Sequence, residues 1–284
     1  MTQNMIVCPK CSCPLLQSGN SLICENRHTY DLASSGYINL NTKPTPAGDS
    51  NEMVQARSRF LDAGYYEPFA KAVVRTLESF APGVIIDAGC GEGYYSTMVS
   101  REINDVCVLG FDLSKSAINK AAKRAGKNNP SARFFVCGIF ELPLADESAD
   151  AVINLFAPCA DSEFFRVIKP GGHLIMGVAG EDHLIGLKSA LYDDVYLNRP
   201  EKVSAPDGFF ELSREKIKYN VTIKGKETIS DLFSMTPYYW KTSEKDAAKL
   251  NELESLDTVL DFDIIVFERI KNSDESIRNN TGIQ

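Results

Sequence analysis

A chain of 284 residues is long enough for one large domain plus a small module. Its 44% apolar and 24% charged residues are a globular composition, and no run of roughly 18 apolar residues offers a membrane span. A net charge of −8 excludes a general polyanion binder, although residues 1–130 carry +1 and residues 131–284 carry −9, so a polyanion is expected to approach the N-terminal half.

The start, MTQNMIVCPK, lacks a basic region followed by an apolar run, so no signal peptide is expected and the chain reads as cytoplasmic. Residues 1–40 are rich in cysteine and turn formers and form the first predicted unit, a metal-stapled module. Residues 41–64 follow as a linker, NTKPTPAGD, and a helix capped by Asp49 or Ser50 and stopped near Gly64. Residues 65–270 form the main domain. A helix is predicted at Glu67–Phe80, then strands at Val84–Ala88, Val106–Phe111, Arg133–Val136, Ala151–Phe156 and His173–Val178, with a basic helix at Lys115–Lys127. Strands alternating with helices predict an α/β fold, a parallel sheet covered on both faces. Lys216–Ile223 and Val259–Phe267 read as further strands, Glu227–Met235 as a helix, and residues 271–284 as a frayed tail.

Four of the eight cysteines lie in the first 24 residues. Cys8-Pro-Lys-Cys11 is followed after twelve residues by Cys24 and after three more by His28. Two cysteines two residues apart wrap one ion from a tight knuckle, and the later pair completes a zinc tetrahedron. Cys13 is an alternative to Cys11, which the two-residue spacing favours. A set of four protein ligands leaves no open position for chemistry, so the zinc is expected to be structural.

The segment VIIDAGCGEGYYS ends a strand at Asp87 and places Gly89, Gly91 and Gly93 before a helix. A glycine loop between strand and helix holds a nucleotide-like ligand at the carboxyl edge of the sheet. The order Asp-x-Gly-x-Gly-x-Gly departs from the dinucleotide fingerprint. Asp87 and Glu92 beside the loop repel a pyrophosphate and suit a cationic ammonium and sulfonium, which points to S-adenosylmethionine. Asp112, 23 residues past Gly89 and at the end of the next strand, is placed to bond ribose hydroxyls.

Together, CPKC…CENRHTYDLASSGYINL, GDSNEMVQARSRFLDAGYYEPF, DAGCGEGYY, FDLSKSAI, NLFAPC, KPGGHLI, EDHLIGLK and SMTPYYW make the chain resemble the RlmA type of bacterial 23S ribosomal RNA guanine-N1 methyltransferases. The resemblance implies a zinc ribbon joined to a class I S-adenosylmethionine-dependent methyltransferase (Rossmann-like) domain, acting on a hairpin of 23S ribosomal RNA as a homodimer. It implies zinc on Cys8, Cys11, Cys24 and His28, and cofactor contacts from Tyr66, Gly91, Glu92 and His183. The FAPC and LYDDVYLNRP segments lean toward the branch found in Gram-negative bacteria.

Guanine N1 carries a proton and pairs within a helix, so the base must be reached in a loop or extruded. The turn Asn154-Leu-Phe-Ala-Pro-Cys159, after the fourth predicted strand, is the expected base site: Phe156 to stack, and Asn154 or the backbone near Pro158 to bond the base edge. No residue is singled out as the catalytic base. Arg27, Lys43, Arg57 and Arg59 are candidates for an RNA platform, whereas Lys115, Lys120, Lys123, Arg124 and Lys127 read as an exposed helix face. The rival reading is a methyltransferase of small molecules or proteins that uses its zinc module for docking.

Overall fold

The computed structural model describes residues 5–44, 50–126, 129, 131–195, 197–198 and 203–271. The N-terminal segment folds into a three-stranded antiparallel sheet of β1 (Leu16–Ser18), β2 (Ser21–Ile23) and β3 (Thr29–Asp31). The next strand, β4 (Ile38–Asn39), leaves this module and becomes the edge of the main sheet. Helix α1 (Asn51–Asp62) starts at Ser50, whose side chain accepts from the Met53 amide; Asp49, the other cap considered, lies outside the described residues. Helix α2 (Glu67–Glu78) opens with proline at its second position, where no amide is needed.

From there come β5 (Val84–Ala88), α3 (Tyr94–Glu102), β6 (Cys107–Asp112), α4 (Lys115–Ala125), β7 (Ala132–Val136), β8 (Ala149–Leu155), α5 (Asp161–Val167) and β9 (Ile168–Ala179). The five strands and the helices after β5 and β6 match the expected ones, α5 is an addition, and β8 follows β7 without a helix between them. After α6 (Ile185–Leu191) come the long β10 (Phe209–Lys224), α7 (Lys226–Ser234), a 3-10 turn at Pro237–Trp240, α8 (Glu244–Ala248) and β11 (Ser255–Arg269). The eight strands run in the order β10-β11-β9-β8-β5-β6-β7-β4. Pairs from β9 to β4 are parallel; β11 runs antiparallel to β9, and β10 antiparallel to β11. Strand order reverses between β5 and β8, which opens a crevice at their carboxyl ends.

Side chains alternate across the sheet, so each face builds its own core. Ile85, Val108 and Ile153 meet α2, α6 and α7 through Phe69, Leu187 and Leu232. Val84, Ile86 and Leu109 face the other way, against Phe164 of α5. That second core also holds Ile6, Cys8, Leu22, Cys24, Ile38 and Leu40. The N-terminal module therefore shares the hydrophobic core of the main domain. Residue 40 is not a mechanical boundary, and the joint is reinforced by Val7 N–H donating to Pro143 O at 2.9 Å. The expected tail, apart from Lys271, lies outside the described residues. No helix among those residues is long and apolar enough to cross a membrane.

Candidate active site and metal centre

Two knuckles shape the metal centre. In the first, Cys11 and Ser12 amides both donate to Cys8 O, and Ser12 takes a left-handed φ of 57°. In the second, the Arg27 amide donates to Cys24 O, and Arg27 sits at φ 62°. These turns bring the ligand atoms of Cys8, Cys11, Cys24 and His28 within 4.8 Å of one another. A zinc tetrahedron with Zn–S about 2.3 Å and Zn–N about 2.05 Å requires S···S near 3.8 Å and S···N near 3.5 Å. Here Cys11 Sγ and Cys24 Sγ are 3.7 Å apart, and the three sulfurs lie 3.4, 3.4 and 3.5 Å from His28 Nδ1. The set fits zinc. Cys13 is held elsewhere, against Glu25 Oε1 at 3.1 Å, and that carboxylate pushes its thiol up to about 12. The structure thus separates Cys13 from the cluster.

The crevice at the strand reversal is a cavity of about 970 Å³. Tyr66, Asp87, Gly89, Gly91, Glu92, Asp112, Asn154, Phe156, Pro158 and His183 all line it. Gly93 does not; it is the left-handed residue before α3, packed against α4. Asp112 accepts from the Gly91 amide at 3.0 Å and the Ser114 amide at 2.8 Å, so it shapes the loop as well as facing the cavity. Burial pushes the Asp87 carboxyl up to about 7, despite a hydrogen bond from Ser96 Oγ.

Glu92 is buried, and the charge expected of it is already partly matched. Arg124 donates to Glu92 Oε2 from Nε at 2.9 Å and from Nη2 at 2.6 Å. Arg124 also reaches Asp62, so it is not part of the solvent-exposed helix face its spacing suggested. Burial still pushes the Glu92 carboxyl up, against the pull of Arg124. Glu92 Oε1 has no hydrogen-bond partner among the described residues. A cationic ammonium is the kind of partner that such an oxygen lacks.

His183 is buried, which lowers its imidazole to about 4 and keeps it neutral at pH 7. Its Nδ1 faces the Asp261 backbone amide at 3.3 Å and must accept. Nε2 therefore carries the proton and donates to Tyr66 Oη at 3.2 Å. The Tyr66 hydroxyl proton remains available for a ligand in the cavity. Asn154 is fixed by similar logic: its Nδ2 donates to Ala88 O and Pro158 O, both at 3.1 Å. Its Oδ1 is buried and has no partner among the described residues. Phe156 is half-exposed at φ 57°, a strained conformation for an aromatic residue, with its ring 5.2 Å from Phe69 and 5.6 Å from Phe262.

The anticipated basic platform is only partly available. Arg59 is fastened to Asp231 by two hydrogen bonds of 2.8 and 2.6 Å, and Lys43 pairs with Glu141 at 2.5 Å on the surface. Arg57 lines the cavity.

The doubly wound sheet, its glycine loop and the crevice beyond define a class I S-adenosylmethionine-dependent methyltransferase, and residues 85–172 match the model of a methyltransferase domain. Residues 6–41 match the N-terminal zinc-ribbon domain of RlmA, so the fold carries a zinc site and a sulfonium-cofactor site. YxjB of Bacillus subtilis strain 168, whose name assigns it to the 23S rRNA (guanine-N1)-methyltransferases, is 31% identical over 93% of this chain and 96% of its own length. The 23S rRNA (guanine(748)-N(1))-methyltransferase of Streptomyces fradiae is 38% identical over 65% of this chain and 66% of its own. A similarly named Micromonospora griseorubida protein is 36% identical over 65% of this chain and 68% of its own. The chain belongs to the RlmA-type 23S rRNA (guanine-N1)-methyltransferase family.

Proposed function

We propose that this chain transfers a methyl group from S-adenosylmethionine to N1 of a guanine in a 23S ribosomal RNA hairpin, in the cytoplasm. The observation that carries this reading is the joining of two features in one cavity: the glycine loop after β5 and the Asn154–Pro158 turn after β8. Methyl donor and acceptor sites then share one chamber. The names of the relatives point to the acceptor.

S-adenosylmethionine supplies an electrophilic methyl group on a sulfonium that is already a good leaving group. Tyr66, Asp87, Gly89, Gly91, Glu92, Asp112 and His183, which line the cavity, would hold it, and Gly93 sets the helix behind the loop. Asp112 would accept from the ribose hydroxyls, and Glu92 Oε1 would accept from the ammonium. Asn154 has both amide hydrogens committed, so it meets a base as an acceptor only. The exocyclic amino group of guanine is a donor that suits Asn154 Oδ1, which leaves N1 free to face the methyl group. As the N1–carbon bond forms and the carbon–sulfur bond breaks, the N1 proton passes to solvent and the cofactor leaves as the neutral thioether. Phe156 stacks on the purine, and the backbone at Pro158 closes the edge. Much of the rate enhancement then comes from positioning. Cys8, Cys11, Cys24 and His28 bind a structural zinc. Functionally the chain divides into 1–40, 41–64, 65–270 and 271–284. A homodimer follows from the family resemblance, and light scattering tests it.

The deciding experiment supplies labelled S-adenosylmethionine and unmodified 23S RNA, then maps the label. One guanine labelled at N1 supports the reading and identifies the position. Label on a small molecule or protein, with none on RNA, refutes it.

Asp87 gives a pH prediction. Its carboxyl, pushed up to about 7, is largely protonated at pH 6 in the free protein. A cationic ligand favours the ionised form, so protonation competes with binding below that pH. Affinity for S-adenosylmethionine, measured by calorimetry, should fall up to about ten-fold per pH unit below 7. Asp87→Asn should flatten the profile. An equally steep profile in the variant removes Asp87 from this role.

A further inference from the structure

Three large apolar side chains crowd the rim of the cofactor cavity, and the mechanism above uses none of them. Leu113, Phe140 and Trp240 line the cavity yet are 43%, 62% and 71% exposed. Scattered surface aromatics are ordinary, but a cluster around one opening marks a contact site. The three come from separate parts of the chain. Leu113 and Phe140 follow β6 and β7, on one side of the strand reversal. Trp240 ends the 3-10 turn after α7, a helix that packs on β10 and β11 on the other side.

Trp240 is anchored beneath. The Trp240 ring meets Tyr239 edge-on at 5.2 Å, and Tyr239 leans on buried Phe233 at 5.6 Å. Phe140 belongs to a segment whose nearby Ile139 and Leu142 are buried. Trp240 is thus held at its base, and both rings stand mostly in solvent.

The identity of the occupant follows from position and charge. Whatever accepts the methyl group must reach the glycine loop through the chamber these residues rim. A base taken out of its stack leaves its neighbours unstacked, and an aromatic rim restores that lost contact. Phosphate attraction is a weak resource here, because the chain carries −8 and Arg59 and Arg124 are tied to carboxylates. Stacking does not depend on net charge.

We infer that Trp240 and Phe140 form an aromatic clamp that stacks on the RNA nucleotides flanking the target guanine. This rests on the RNA reading above and adds the residues that grip the substrate.

The test uses the full-length zinc-loaded protein, an RNA hairpin substrate and the variants W240A, W240F and F140A. Trp240 is the sole tryptophan of the chain, so its fluorescence reports on the clamp directly. The expected result is quenching when hairpin RNA is added. W240A and F140A should each raise KM for RNA roughly five- to hundred-fold, with affinity for S-adenosylmethionine unchanged. W240F should restore most of the loss. The ratio of W240A to wild-type KM should stay constant between about 50 and 200 mM salt, where a phosphate contact would lose its advantage. Unaltered zinc content and melting temperature show that the variants fold. If wild-type protein methylates the hairpin while W240A and F140A keep its KM and RNA leaves the emission unchanged, the clamp is refuted. If wild-type protein labels no RNA at all, the functional reading falls and takes the clamp with it.

Discussion

Replacing Cys24 with serine should empty the metal centre and destabilise the whole protein, not merely its first forty residues. Cys24 is buried and stands 3.7 Å from Cys11 Sγ and 3.5 Å from His28 Nδ1. A serine hydroxyl is a poor zinc ligand, and a structural site needs all four donors. Metal content should fall from about one zinc per chain to near zero. The effect spreads because Cys8 and Cys24 share a core with Ile86, Leu109 and Phe135, and because β4 pairs with β7 through Ile38 and Phe135. Loss of several kcal/mol of metal-linked folding energy is expected, which lowers the melting temperature by roughly 10 °C. Hydrogen exchange should speed up at the Phe135–Val136 edge of β7. A zinc-free variant with unchanged melting and full protection there would show that the module is separable.

This coupling was not legible in the sequence. Residues 1–40 read as a module of their own because their ligand spacing is self-sufficient and a segment with two prolines follows. A two-residue strand such as Ile38–Asn39 is too short to show periodicity, and its partner lies nearly a hundred residues away. The central strands were legible to within a few residues because each is a short apolar run between turn signals. The flanking β10–β11 ribbon was read as strands but not placed. Its β10 strand is mostly exposed, and hydrophobic pattern fixes register only where a face is buried.

The site divides the same way. The zinc ligands and glycine loop announce themselves by spacing. Tyr66 and His183 entered only through family resemblance, since a lone tyrosine and a loop histidine carry no spacing signal. A Lys/Arg stripe along a helix is normally solvated, so Arg124 reads as exposed from sequence; here α1 packs over α4 and turns that one member inward to Glu92. Phe140 carries no spacing signal, and the residues of SMTPYYW alone do not indicate a role. Their meaning depends on a rim that exists only after residues from β6, β7 and the turn after α7 converge.

Substituting Gly93 and Gly91 separately should distinguish folding from ligand binding within three residues of sequence. Gly93 precedes α3 at φ 78°, and a Cβ there would lie 2.7 Å from Ala121 Cβ, 2.9 Å from Ala121 Cα and 3.2 Å from a Phe134 ring carbon. Backbone on α4 cannot rotate away as a flexible side chain can. Left-handed strain of about 1–2 kcal/mol and overpacking of about 1–3 kcal/mol act together, so Gly93→Ala should lose about 2–5 kcal/mol in denaturant unfolding. Gly91 sits at φ 52°, and its added Cβ would find nothing nearer than Arg57 Nη1 at 3.9 Å. Gly91→Ala should therefore cost about 1–2 kcal/mol, the strain alone. Because Gly91 lines the cavity, the methyl group takes up ligand space, and affinity for S-adenosylmethionine should fall about ten-fold or more. If Gly91→Ala binds the cofactor normally while Gly93→Ala folds normally, the loop does not cradle the ligand with its backbone, and the assignment of the chamber fails at its base.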